Sequence, residues 1–190
     1  WNATTGVEHR KLTGHVAAVN SVVFDGTGER VASASADGTV KIWMRDTGEL
    51  LRTIPVTDGS VNTVSFLADG KRIAAAGDGN SIGIWSVENG ELLKSLDGHT
   101  ASVMAIKLSH NGKLLASTSA DETVRVWDVD GRRLVVARTY PRDSRALWVA
   151  GERVLVTHAA SPPQLFDPAA NTSEPLPIEP ILQAAASAAG

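Results

Sequence analysis

A histidine, a serine and an aspartate recur in this chain at fixed intervals, and that trio is the machinery of nucleophilic acyl transfer. His99, Ser117 and Asp121 would supply base, nucleophile and orienting carboxylate. The same three residues stand at His15, Ser33 and Asp37 with the same intervals of 18 and 4. Duplication argues against catalysis, because catalytic centres are not usually repeated unit by unit. Each trio is followed by a tryptophan, Trp43 or Trp127, and no strained nucleophile turn of the G-x-S-x-G kind is present. The trios read as structural, the chain as not an enzyme, with no catalytic residue.

Other candidate chemistry is weaker. Gly77-Asp78-Gly79-Asn80-Ser81-Ile82-Gly83 hints at a phosphate loop, but the glycine spacing is wrong and a strand pattern follows it. His9, His110 and His158 lack carboxylates at ligand spacing, so no metal is expected. Asp25, Asp69 and Asn111 sit at or near one repeated turn, where Asx hydrogen bonding accounts for them. No cofactor is expected.

The elements that position the trios repeat. Trp1, Trp43, Trp85 and Trp127 are each 42 residues after the last. Phe24, Phe66 and Leu108 keep the same phase, as do Gly28, Gly70 and Gly112, and Val40, Ile82 and Val124. A period of about 40–45 residues marks one supersecondary unit copied in tandem. Within a unit, Val19 to Phe24, Arg30 to Ser35, Thr39 to Trp43 and Glu49 to Ile54 read as strands, separated by turn clusters such as Asp25-Gly26-Thr27-Gly28, Asp37-Gly38 and Asp46-Thr47-Gly48. The result is a four-stranded antiparallel meander. Its inner strands are apolar on both faces, and radial stacking covers both while leaving only short edges. Small residues on the second strand (Ala32, Ala34; Ala74, Ala75, Ala76; Ala116, Ser117) suit close sheet-to-sheet approach. A two-layer sandwich is the rival fold, but it has no need of a strict 42-residue register.

These residues resemble the WD-repeat β-propeller family. Leu12-Thr13-Gly14-His15 with Ser33 to Trp43, and Leu96-Asp97-Gly98-His99 with Ser117 to Asp128, match its Gly-His, Ser-x-Ser-x-Asp and Trp-Asp pattern over about residues 1–167. The resemblance implies a buried hydrogen-bonded set in each blade: His15, Ser33, Asp37 and Trp43, and likewise His99, Ser117, Asp121 and Trp127. Ser35 and Ser119, on the same strand face, are the alternative serines. In the second unit the set is lost, with Thr57, Ala75 and Gly79 at the His, Ser and Asp positions and only Trp85 retained. The fourth unit is more eroded, with Phe166 in place of the tryptophan and strands expected at Ala146–Val149, Arg153–Thr157 and Gln164–Asp167.

The expected organisation is therefore all-β: repeats at about 2–43, 44–85 and 86–127, a degenerate unit at 128–167, and a Pro- and Ala-rich tail at 168–190 that reads as linker or disordered end, with a short strand entertained at Leu176–Ile178. The family closes rings of about seven blades, which implies upstream blades or self-association here. By the same resemblance Glu8–Leu12 is the outer strand of a preceding blade. The chain opens on Trp rather than Met, and it reads as part of something longer.

Net charge is −3, so no basic field exists to hold nucleic acid. There are no cysteines, no apolar run approaching a membrane span and no signal peptide, and a cytoplasmic location is expected. What remains is recognition of protein partners through propeller loops, as a non-catalytic scaffold. Most loop positions are small, and anchors favour Trp, Tyr and Arg. The candidates are therefore Tyr140, Arg142 and Arg145 in Tyr140-Pro141-Arg142-Asp143-Ser144-Arg145, then Trp148, and Asn20, Asn62 and Met104 at one register position. The second reading is a sensor or regulatory propeller of a larger bacterial enzyme, such as a Ser/Thr kinase or NTPase.

Overall fold

Alternating apolar residues, broken by Asp/Asn-Gly turns, build sixteen strands in the computed structural model, which describes residues 4–131, 133–140, 144–149, 152–158 and 161–176. Among the described residues there is no helix. The strands form four sheets, each an antiparallel meander in chain order. The first comprises β1 (Val19–Phe24), β2 (Arg30–Ser35), β3 (Thr39–Met44) and β4 (Leu50–Pro55). The second comprises β5 (Val61–Phe66), β6 (Arg72–Gly77), β7 (Ile82–Ser86) and β8 (Leu92–Leu96). β9 (Val103–Leu108), β10 (Leu114–Ser119), β11 (Thr123–Asp128) and β12 (Arg133–Thr139) make the third. The fourth is β13 (Arg145–Val149), β14 (Arg153–His158), β15 (Ser161–Asp167) and β16 (Thr172–Pro175).

Neighbouring sheets pack face to face, and the core lies between them. Ala32, Ala34, Val40 and Ile42 meet Val61, Val64 and Phe66 of the next sheet. One repeat on, Ala74, Ala76, Ile82 and Ile84 meet Val103, Ile106 and Trp127. Ala116, Val124 and Val126 then meet Val154, Val156 and Phe166. Small second-strand residues let the sheets approach, and the β-branched third strand fills what is left. At about 25 cal/mol per Å² of apolar area removed from water, these layers are the main stabilising term. Cations seal the seams: the Arg30 guanidinium lies 5.6 Å from the Phe66 ring centre and that of Arg138 5.9 Å from Phe166.

Bulges recur with the repeat. In the first strands the register skips Asn20, Asn62 and Met104, and between third and fourth strands it skips Leu51, Leu93 and Val135. A bulge redirects the extra side chain out of the pleat. Leu51, Leu93 and Val135 are accordingly exposed, whereas Asn20 and Asn62 turn toward the next sheet.

One expectation needs correction. The tail does not begin as linker, because Thr172–Pro175 pairs with Gln164–Asp167 as β16. This strand is exposed at all four positions, held by backbone pairing and by the Ser173 hydroxyl to Gln164 Oε1 at 3.0 Å, and no apolar alternation announces it. Of the strand entertained at Leu176–Ile178 only Leu176 is described, and its N–H donates to Pro163 O and closes the pairing; 177–190 lie outside the described residues, as does Trp1.

The turn between β10 and β11 holds Glu122 at φ 63°, where the first sheet has Gly38 at 82°. A side chain in this left-handed conformation costs about 1–2 kcal/mol, part of which glycine's extra chain entropy offsets. The Glu122 side chain is exposed, so Glu122→Gly is expected to raise stability by about 0.5–1 kcal/mol, read as a higher urea midpoint at unchanged slope.

Candidate functional site

The turn between second and third strands brings the trio together. In the first sheet His15 Nδ1 lies 2.8 Å from Asp37 Oδ2, His15 Nε2 lies 2.7 Å from Ser33 Oγ, and Trp43 Nε1–H donates to Ser33 Oγ at 2.8 Å. The third sheet repeats these values at His99, Asp121, Ser117 and Trp127. Indole N–H is donor only, so the serine oxygen accepts from tryptophan and its hydroxyl hydrogen goes to Nε2. The neutral ring then donates Nδ1–H to the carboxylate. The relay runs Trp to Ser to His to Asp, with every polar atom used.

The aspartates make further bonds. Oδ2 of Asp37 accepts the Val16 N–H and that of Asp121 the Thr100 N–H, which ties the loop before the first strand to the turn. Oδ1 accepts from the backbone and hydroxyl of Thr39 or Thr123. Burial alone would raise both carboxyls, but these hydrogen bonds outweigh it and hold them well below the ordinary carboxylate range. Burial pushes His99 below the usual imidazole value, against the opposing pull of Asp121. Ser35 and Ser119, the alternative serines, take a different part: each accepts the aspartate's N–H and donates to a loop carbonyl, Ala17 O or Ala101 O.

The glycine of Gly-His is required twice over. Gly14 and Gly98 both have φ +148°, and the tip of the tryptophan ring lies 3.2 Å or 3.3 Å from where a Cβ would stand. The second sheet shows what happens without the set. Its strand residue Gly83 corresponds to Lys41 and Arg125, and the Trp85 ring lies over it, leaving no room for a Cβ. Asp78, one residue before the expected position, retains the pin by accepting the Ser60 N–H at 2.9 Å. The sequence held that signal in Asp78-Gly79, one residue out of register.

The geometry is that of a hydrolytic triad and the surroundings are not. Ser33 and Ser117 are buried, and the oxygen that would attack is held by an indole N–H. A cleft beside His99, lined by Asp78, Asn80, Ser81 and Asp97, does not reach Ser117. No group of three or more metal-ligating side chains forms among the described residues.

The sequence-predicted partner contacts divide. Tyr140 is a core residue, 8% exposed, its ring in the layer between third and fourth sheets. Asn20 donates to Ser60 Oγ and Val61 O, and Asn62 to Ser102 Oγ and Val103 O, so both stitch neighbouring sheets. Met104, at the third such position, is 49% exposed, and Arg145 begins β13 in the open. Trp148 lies within β13, and Arg142 falls outside the described residues.

A family model described as WD domain, G-beta repeat matches residues 6–44, 48–86 and 90–128. The chain belongs to the WD-repeat family. A solved structure entitled Structure of U3-55K is similar over 87% of this chain at 21% identity, with a TM-score of 0.76. This chain spans about half of that one, 53%, and at such identity the likeness shows the fold alone. The four sheets are thus blades of a WD-repeat propeller, the fourth lying beyond the residues that the family model matches. WD propellers are in general protein-interaction domains and typically non-catalytic. No helix among the described residues is long and apolar enough to cross a membrane.

Ser117→Ala leaves the Trp127 N–H without its acceptor and His99 Nε2 without its donor, and is expected to cost about 2–3 kcal/mol in urea unfolding. Acid should act on the same set. Carboxyls with depressed folded-state pKa contribute stability above their unfolded value of about 4, and that stability is lost as pH falls. His99, also depressed, contributes above its unfolded value of about 6.5 and loses this as pH falls. Unfolding midpoints should therefore decline from about pH 6.5 downward, and more gently in Asp121→Asn/His99→Gln.

Proposed function

We propose that this propeller segment is a non-catalytic scaffold for protein assembly, and that Met104 and Arg145 contribute to the partner contact. What supports the reading is the full internal use of the polar sets: each His, Ser, Asp and Trp is bonded to the others, so the chemistry in the sequence is taken up in holding shape. Recognition then falls to exposed groups on the loop face. Asn20 and Asn62 are occupied by the Val61 and Val103 carbonyls, 41 residues on. Met104 stands in the same relation to Arg145, with no amide to make the third stitch. An adaptable thioether and a planar cation suit an interface anchor. Tyr140 is taken up in the layer between third and fourth blades, its backbone N–H bonded to Glu122 O at 2.8 Å.

The test compares partner recovery from source cells on immobilised wild-type chain and on Met104→Ala/Arg145→Ala, both with unchanged circular dichroism. At least tenfold lower recovery by the variant is expected, a loss of about 1.4 kcal/mol or more. Equal recovery overturns the assignment of this patch. Turnover of an activated ester that disappears in Ser117→Ala overturns the scaffold reading itself.

A further inference from the structure

The polar sets lie at one end of the strands, and at the other end the seams between blades carry charge. Where the first blade meets the second, a cleft of about 390 Å³ is lined by Arg30, Arg52, Lys71, Ser86 and Glu88. Backbone contacts hold its walls together. Val87 N–H donates to Lys71 O at 2.9 Å, and Arg52 Nη2 donates to the Glu88 carbonyl from the blade before.

One repeat on, the corresponding positions are Arg72, Lys94, Lys113, Asp128 and Asp130. There the seam supplies its own anion. Arg72 Nε donates to Asp69 at 2.5 Å, and both terminal nitrogens lie 3.2 Å from Oδ1 of Asp130, a residue of the third blade. Three cations are matched in number by three carboxylates, Asp69, Asp128 and Asp130.

The first seam is not matched in this way. Arg30 gives Nε to Asp25 and Nη2 to Gly70 O, while Nη1 has no hydrogen-bond partner among the described residues. Ser86 stands where the next seam has Asp128. Glu88 takes the place of Asp130, but among the described residues its carboxylate joins no ion pair, and only its carbonyl meets Arg52. Arg52 Nε is buried without an acceptor, and the exposed Lys71 pairs with no carboxylate among the described residues. Three cations here stand against two carboxylates, Asp25 and Glu88, in a chain whose net charge is −3.

We infer that this seam takes its missing carboxylate from outside, as an Asp or Glu side chain on an acidic segment of a protein partner. The second seam is the template, because Asp130 on Arg72 shows what this position accepts when the chain provides it. Hydrogen bonds between a guanidinium and a carboxylate are charge-assisted and directional. A cleft between blades also screens them less than open surface does. The site is separate from Met104 and Arg145, which lie at the opposite end of the strands, so it is a second contact surface.

The test titrates a fluorescein-labelled peptide, Gly-Asp-Asp-Asp-Gly, with the chain at low salt and follows anisotropy. Saturable binding of one peptide per chain is expected, with a Kd of about 100 μM. Ser86→Asp places a carboxylate in the cleft as the next seam does, and Lys71→Ala removes an exposed cation. Each should weaken binding at least about tenfold with circular dichroism unchanged. Lys11→Ala removes an exposed charge elsewhere and should leave the affinity as it was. In nitrogen-edited NMR spectra the Arg52 Nε–H should shift on peptide addition, and the Met104 amide should not. Absence of saturable binding up to millimolar chain, or equal weakening by Lys11→Ala, overturns the proposal. Shifts at Met104 in place of Arg52 overturn it too, by moving the peptide to the other patch.

Discussion

Every blade here is a sheet that cannot bury itself. Its two inner strands carry apolar side chains on both faces, and four strands are too few to curl into a closed barrel. The simplest cover is another sheet of the same kind, offset by one repeat, and the 42-residue register supplies one each time. From this follows the alternation of small and branched residues across the seams.

Stacking alone does not fix how the loops leave the sheet, and the polar sets do that. A shared serine hydroxyl joins an indole to an imidazole, and the aspartate beyond it grips both the incoming loop and its own turn. Removing one member strands its neighbours in a low-dielectric interior, so the set is kept whole or discarded whole. The second blade shows the discarded state. Its tryptophan lies over Gly83, and only the carboxylate pin survives, moved to Asp78. At the opposite end of the turns, Asp25 plays a related part: burial would raise it, but hydrogen bonds from Arg30 and Thr27 bring it down to about 2. The same guanidinium reaches Gly70 O and the face of Phe66, which locks first and second blades together.

Much of this was legible in the residues. Tryptophan spacing gave the period, and Gly-His with Ser-x-Ser-x-Asp named the atoms that the structure brings within hydrogen-bonding distance. The choice between Ser33 and Ser35 was not legible, because both point to one face and only the loop's path decides which meets the histidine. Asn20 and Asn62 read as unoccupied contacts because a bulge is invisible to periodicity; it turns each amide onto a carbonyl 41 residues away, although Asn20 stays exposed. Tyr140 looked like a loop anchor because its burial depends on a fourth blade whose own signature has eroded. β16 left no trace in the apolar pattern, since its side chains are exposed and it is joined to β15 by backbone pairing and one Ser173–Gln164 hydrogen bond.

The polar set also shows why constellation is weaker warrant than environment. Its distances satisfy the requirements of a Ser-His-Asp nucleophile, and the expected tautomer is the productive one. Acyl transfer further requires that the hydroxyl face a substrate carbonyl, that donors await the oxyanion and that a leaving group have somewhere to go. Here the indole N–H engages the serine oxygen, and Ser117 is buried. Evolution of chemistry from such a set would have to displace Trp127, a residue the blade-to-blade core is built around. The arrangement that stabilises the fold thus already engages the atoms that such a reaction would need.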